Sequence, residues 1–359
     1  MKLLNGTIVL VKNSFNGIFY AKMFKKLSIK FYGILLILSG LLIISCGKSE
    51  KLIRHTFFRM DTITEITIRD SKNIDYGKVW TAADSLLKDR EERFSITSPG
   101  SEVLKLNTRK TDTVHVSKEL GDMIATGIRL GDMLNGDFDI TILPIKELWG
   151  FGEKPSGNSP LPTPEKVRET LKKVDYRKVR INETHDTVYF SSPDIQIDVG
   201  GIAKEYVMQD LGKLLEEFGV TDDIISAGGD IYAKGGHLDG KPWKIGIQHP
   251  RNRNSVLAVL ELDKRTVLTS GDYERYRIVN GKRYCHIFDA HTGYSAEKNQ
   301  SVTIGADSPT RILSAGLFCR DAKDILAYVN AHKDLQCVVV DSEGKVFVSE
   351  GWKDRVRSW

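Results

Sequence analysis

The apolar run from Phe31 to Ser45, FYGILLILSGLLIIS, follows Lys25, Lys26 and Lys30 and stops at Cys46. Basic residues, a short apolar stretch and a small residue before Cys read as a signal segment, which must be set aside before any fold is considered. The run falls short of the about 20 apolar residues that a membrane-spanning helix requires. What folds is therefore the chain after Cys46, outside the cytoplasm. MFKKLSIKFYG from Met23 is itself a well-formed signal start, so translation is expected to begin there and not at Met1. The expected organisation is a signal peptide over 1–45, a Cys with a polar tether over 46–54, and one domain over 55–359.

The Ile43–Cys46 stretch IISC resembles the bacterial lipobox, which implies cleavage before Cys46 and lipidation of its thiol. A lipid at that point anchors the chain to a membrane of the cell envelope, inner or outer, on the periplasmic side. Gly47, where Asp serves as an inner-membrane retention signal, leans towards the outer membrane. The leader holds six Lys and no acid, leaving 46 of the 52 basic residues against 47 acidic ones. A near-neutral mature chain gives no electrostatic case for nucleic acid as partner. Cys285, Cys319 and Cys337 are odd in number and scattered. They suggest buried small apolar residues, not a disulfide framework or a zinc site.

HTFFRMDTITEITIRD, rich in Ile and Thr, reads as one extended segment. Val79, Ala82, Leu86 and Leu87 recur at helical spacing, and Ser117 with Glu119 opens a second helix that ends at Gly136. Thr163 and Pro164 start another after a surface excursion rich in Pro, Gly and Ser. TVYFSSPDIQIDVGG reads as two strands, AKEYVMQDLGKLLEEFG as a helix and DDIISAGGDIYAKGG as a strand. Further strands follow, with an Asn-Gly hairpin turn at Asn280 and Gly281. Strands in runs with helices interspersed indicate an α+β fold with mixed or antiparallel strands.

Four glycine-bearing stretches join a charged residue to backbone that can approach a ligand: GDFDITILPIKELWGFG, DVGGIAKEY, SAGGDIYAKGG and TSGDYERYRIVNGKRYCHIFDAHTG. A Gly pair that opens a helix can present free N–H groups to an anion. In this order the motifs, with MDTITEIT and SEVLKLN ahead of them, resemble the ApbE family of FAD:protein FMN transferases. The resemblance implies an α+β fold with a T-fold-like core. It implies that FAD is split at its pyrophosphate, AMP leaves, and FMN is joined to a Thr hydroxyl of an acceptor flavoprotein, a subunit of a membrane reductase complex.

On the matching positions, Met60, Phe138, Asp139 and Thr141 would shape the flavin pocket, with Ile287 beside them. Asp198 would anchor the adenosine end and Lys204 would face the nucleotide. His286, with Asp289 three residues on, would serve as acid or base. Tyr273 and Arg275 alternate as on a strand and would share a face towards the cleft. Trp149 and Trp243 read as core, not as flavin stackers.

The family's Mg²⁺ is expected at the Gly201 carbonyl and at an Asp and a Thr four residues apart on a later helix, hard oxygens that suit this ion. In PTRILSAGLF those two positions hold Arg311 and Ala315. Glu205 stands where the family has Gly after IAK. Either Arg311 takes the pyrophosphate in place of the metal, or it pairs with Glu205 and closes the site, or it faces solvent. The first reading leaves an FMN transferase; the second leaves a non-catalytic FAD-binding lipoprotein, and hydrolysis of FAD to FMN and AMP is a further output.

Overall fold

A computed structural model describes residues 51–152, 160–238, 240–262, 264–307 and 314–358. Eight antiparallel strands form the main sheet: β1 (Leu52–Arg59), β2 (Thr62–Arg69), β6 (Asp223–Ala227), β7 (Asp230–Lys234), β10 (Lys264–Gly271), β13 (Asn299–Ala306), β14 (Leu335–Asp341) and β15 (Val346–Val348), in that spatial order. A second sheet pairs β8 (Trp243–His249) with β9 (Asn252–Leu262) and β16 (Arg357–Ser358). A third joins β3 (Thr113–His115), β5 (Thr187–Phe190) and β4 (Val179–Ile181), and β11 (Tyr276–Val279) with β12 (Lys282–Cys285) forms the hairpin that turns at Asn280 and Gly281.

Eight helices occur among the described residues: α1 (Tyr76–Phe94), α2 (Glu102–Asn107), α3 (Lys118–Met133), α4 (Leu143–Leu148), α5 (Pro164–Leu171), α6 (Gly200–Glu217), α7 (Ser314–Leu317) and α8 (Ala322–Asn330). The Ser117 side chain accepts from Leu120 N–H and the Thr163 side chain from Lys166 N–H, as N-caps do. Helices cover one face of the main sheet, where Ile66, Ile68, Val302 and Ile304 meet Val79, Leu87, Ile124 and Leu211. On the other face Ala233, Val267 and Val338 meet Trp243, Leu260 and Trp352, carried by or beside the second sheet. Because both faces are covered, every residue of β13 is buried, and the strand shows no polar alternation.

Four local expectations are corrected. His55–Asp70 is a hairpin, not one strand: Met60 and Asp61 both take positive φ, 56° and 54°, between β1 and β2. SAGGDIYAKGG likewise folds into β6 and β7, turned by Gly228 and Gly229 at φ 59° and 97°. Gly228 also donates to the Ile63 carbonyl, 3.0 Å, bringing the two hairpin tips together. Finally, the stretch before Gly200 is not a second strand in a sheet. Ile195, Ile197 and Val199 are buried, but the side chain of Asn107 satisfies Ile197, accepting from its N–H at 2.7 Å and donating to its carbonyl at 2.8 Å. One amide does the work of a neighbouring strand. The central residues of SGDYERY also form a turn and not an alternating strand. The Tyr273 ring lies where a Cβ on Gly271 would come within 2.5 Å of it, so the chain folds back there.

Trp149 and Trp243 are buried, as expected, and each indole N–H donates to a carbonyl, of Gly293 and Lys234 respectively. The three described cysteines are free, Cys285 and Cys337 being buried and Cys319 half-buried. The described residues contain no helix long and apolar enough to cross a membrane.

Candidate functional site

The Asn107 clamp holds the chain in the conformation that delivers Asp198 to the start of α6. The Asp198 carboxylate accepts from Gly200 N–H at 2.7 Å and from the ammonium of Lys146 on α4. Its own N–H donates to Ile140, 2.8 Å. Burial opposes ionisation, but Lys146, the Gly200 N–H and the field of Arg275 outweigh it and hold the carboxyl below the usual Asp range. Asp198 is thus a charged bolt between α4 and the glycine turn. Lys146 falls within GDFDITILPIKELWGFG, but a Lys one helical turn into a short helix carries no sign in the sequence of its distant partner.

Helix α6 begins with Gly200 and Gly201, both exposed, and has no side-chain cap. Gly200 N–H is taken by Asp198, and the Ile202 and Ala203 N–H groups both donate to the Val199 carbonyl at 2.8 Å, so in the first turn Gly201 N–H is the one left open to an anion among the described residues. One turn in, Lys204 pairs with Asp230 at the head of β7, whose other oxygen accepts from Thr269 N–H at 3.0 Å. Burial works against the Lys204 charge, yet Asp230 and Glu205 more than compensate, so its pKa lies above the ordinary value.

His286 closes the constellation. Its ring Nδ1 lies 3.1 Å from the Arg275 carbonyl, which also accepts the His286 backbone N–H at 3.0 Å. A carbonyl accepts only, so Nδ1 carries the proton and Nε2 keeps a free lone pair. Burial first, then the positive fields of Lys146, Arg275 and Lys204, push the imidazole pKa down to about 3. The imidazole is thus held neutral, with Nε2 free to accept a proton.

The other expected residues divide. Phe138 is buried against the start of α6 and against α7: a Cβ on Gly201 would stand 3.3 Å from its ring, and one on Gly316 would stand 3.0 Å from its Cβ. Asp139 accepts from the Thr141 N–H and hydroxyl, 2.7 and 2.6 Å, and from Tyr176 N–H, 3.0 Å, while the Thr141 oxygen accepts from Asp175 N–H, 2.8 Å. These two brace the loop that carries Phe138 and α4. Asp289 does not join His286. Its Oδ1 accepts from the His291 and Thr292 N–H groups, 2.8 and 3.3 Å, and shapes the turn before Gly293. Ile287 is buried, its carbonyl accepting from Ala296. Met60 sits on the β1–β2 tip with its N–H on a Glu91 oxygen, 2.6 Å, a carboxylate that helps hold a positive φ uncommon for such a residue.

The expected metal positions fit poorly. Ala315 is half-buried against the helix-side core and supplies a methyl group, not oxygen. Arg311 lies outside the described residues, as does Cys46. Gly201 remains as an exposed backbone position at the open end of α6.

Removing the bolt has a defined expected effect. With Lys146→Met, the Asp198 carboxylate is buried without its counter-ion, and the chain should lose about 3 kcal/mol of stability, read by urea unfolding at neutral pH. Restoring the charge with Lys146→Arg should return part of it.

The ApbE family model matches residues 60–339. A Haemophilus influenzae protein named FAD:protein FMN transferase is 30% identical over 299 residues, covering 80% of this chain and 86% of that protein. An Escherichia coli K12 protein of the same name is 27% identical over 269 residues, 69% and 76% of the two chains. Among solved structures, the ApbE protein of Thermotoga maritima superposes with a TM-score of 0.79 at 30% identity, covering 86% of this chain and all of that one. The flavin transferase ApbE of Vibrio cholerae gives 0.77 at 26% identity, covering 85% and 99%. With the motif order, the antiparallel fold and the glycine-opened helix all in agreement, the chain belongs to the ApbE family.

Proposed function

We propose that this chain is an FAD:protein FMN transferase, and that the observation carrying the proposal is the glycine-opened start of α6, with Asp198 locked to Lys146 before it and Lys204 held by Asp230 one turn in. The acceptor Thr hydroxyl attacks the FMN phosphorus of FAD. Its proton passes to His286 Nε2, the bridging P–O bond breaks, and AMP leaves with the electron pair of that bond. Transfer of this kind depends on placing the hydroxyl in line and on neutralising phosphate oxygens. Lys204 and the Gly201 N–H supply the neutralisation, and Asp198 keeps the glycine turn in the conformation that exposes that group. A divalent cation, when bound, adds charge neutralisation on the phosphate oxygens.

The acceptor is a flavoprotein, and we place the chain in the cell envelope, held by lipid on Cys46, next to a membrane reductase complex whose subunit it modifies. The signal-like run before Cys46 supports that placement. The test is to incubate the full chain in detergent with FAD and an acceptor domain bearing the target Thr, and to look for flavin fluorescence on the denatured acceptor. A fluorescent band absent from a Thr→Val acceptor supports transfer. FAD bound without a band, or FMN and AMP released with none, rejects it in favour of binding or hydrolysis.

A further inference from the structure

Strands β11 and β12 form a sheet of their own, and His286 stands at its base. Arg275 precedes β11 and His286 follows β12, and the Arg275 carbonyl holds both the His286 N–H and its ring. One face of the hairpin is docked: the ring centroids of Tyr284 and Trp149 are 5.5 Å apart, and Arg277 donates to the Trp149 carbonyl at 3.3 Å. The other face shows Tyr276 and Ile278, 40% and 62% exposed. Val279 pairs with Lys282 around the two-residue turn, so Arg277 and Tyr284 also exchange bonds, whereas Tyr276 and Ile278 turn their N–H and C=O groups away from β12. Cys285, opposite Tyr276, shows the alternation directly: its N–H and carbonyl point off the other edge, to the Ser295 hydroxyl at 2.8 and 2.9 Å. Among the described residues no strand pairs with the outer edge of β11, and the outward backbone groups of Tyr276 and Ile278 have no other partner.

We propose that the outer edge of β11 is the docking strand for the acceptor protein, which adds an extended segment to it and so delivers its Thr to His286. The inference rests on the transfer reading for the identity of this partner. An added strand gains affinity from main-chain hydrogen bonds and specificity from side chains at alternate positions. The edge offers the N–H and C=O groups of Tyr276 and Ile278, and their exposed side chains stand beside them for an apolar residue to cover. Charge sets the second requirement. Residues 275–285 hold Arg275, Arg277, Lys282 and Arg283 and no acid. Glu297 and Asp272 meet Lys282 and Arg283, but Arg275 is exposed and has no ion pair among the described residues. Glu274 beside it lies in the fields of Arg253 and Lys204 as well. The segment that fits is therefore extended, apolar and acidic. A second copy of the chain would set these cations against their own kind.

The experiment measures binding of an acceptor domain, its target Thr changed to Val and labelled with a fluorophore, to the full chain in detergent without FAD, by fluorescence anisotropy. Ile278→Pro removes one outward N–H and leaves the pairing with β12 intact, since that N–H does not face β12. It should weaken binding roughly tenfold, the worth of a hydrogen bond whose partner is left unsatisfied, with FAD affinity unchanged. Ile278→Glu keeps the pairing but sets an acid against an acidic segment, and gives the same comparison should the proline variant not fold. No binding by wild type, or wild-type affinity in the folded variants, overturns the proposal. So do dimers of the chain that Ile278→Pro dissolves while acceptor binding stays intact, which would assign the edge to a second copy. Transfer to the intact Thr acceptor with affinity unchanged in the variants keeps the transfer reading and rejects this edge. Edge-dependent binding with no flavin on that acceptor keeps the edge and rejects transfer.

Discussion

Replacing His286 by Asn lowers FMN transfer by about 10²–10⁴-fold, the range that one positioned general base contributes, while FAD remains bound. Asn can still donate its side-chain N–H to the Arg275 carbonyl, so the loop is retained and only the free lone pair at Nε2 is lost. Transfer rate under saturating FAD separates the two, with FAD affinity measured by fluorescence quenching. An equal loss of affinity and rate would assign His286 to binding. The pH profile provides a second check. An imidazole driven to about 3 by burial and three cations is neutral throughout the range from pH 5 to 8. The apparent kcat/KM, which reports the free enzyme, therefore shows no acid-side fall from this group in that range. A descending limb near pH 6.5 would mean that His286 keeps its ordinary pKa.

Asp223→Asn raises the stability of the folded chain at pH 8 but much less at pH 4.5. Asp223 at the start of β6 is fully buried, and neither carboxyl oxygen has a partner among the described residues. Lys234 stands opposite it across the strand pair, but its ammonium bonds Glu216 at 2.6 Å. Burial foremost, with Glu216 and Asp222 adding and Lys234 opposing, lifts the carboxyl to about 7. An unfolded Asp titrates near 3.9, so the folded state binds this proton more tightly. Stability contributed by that proton is complete at low pH and is lost as pH rises from about 4 to about 7. The total is about 4 kcal/mol, of which about 3 kcal/mol falls between pH 4.5 and 8. Urea unfolding of both chains at those two pH values measures the difference directly. A gap between them that does not change with pH would show that Asp223 is ionised in the fold at both.

Both effects arise from groups whose environment is assembled by distant segments, and that separates what was legible in the sequence from what was not. The α+β class, the helix starts at Ser117 and Thr163, the Asn280–Gly281 turn and the order of the glycine motifs could be read because each depends on residues a few positions apart. The β1–β2 turn could not. Met60 and Asp61 carry no Gly or Asn to announce positive φ, and Glu91 on α1 helps hold that conformation. Gly228 and Gly229 were visible as a Gly pair, but a pair fits a helix entry as well as a hairpin, and only pairing of β6 with β7 decides between them.

The same division runs through the site. His286, Lys204 and Asp198 were found by motif. Their states were not, because the pKa of His286 is set first by burial and then by Lys146, Arg275 and Lys204, and both the burial and the two lysines come from segments far from it in sequence. Asn107 and Lys146 escaped notice since neither residue type is unusual for a helix; their value appears only when Ile197 and Asp198 pack against them. Asp289 was favoured by its closeness to His286 in sequence, yet the turn before Gly293 directs its Oδ1 to backbone N–H groups. By itself the sequence determined the family, the local conformational signals and the residue types available for phosphoryl chemistry, since these follow from short-range backbone preferences and motif spacing. The tertiary structure alone decided which charges meet, which acids lose their water and which imidazole stays neutral. Those outcomes depend on burial and on distances between segments remote in the chain, and no local pattern encodes them.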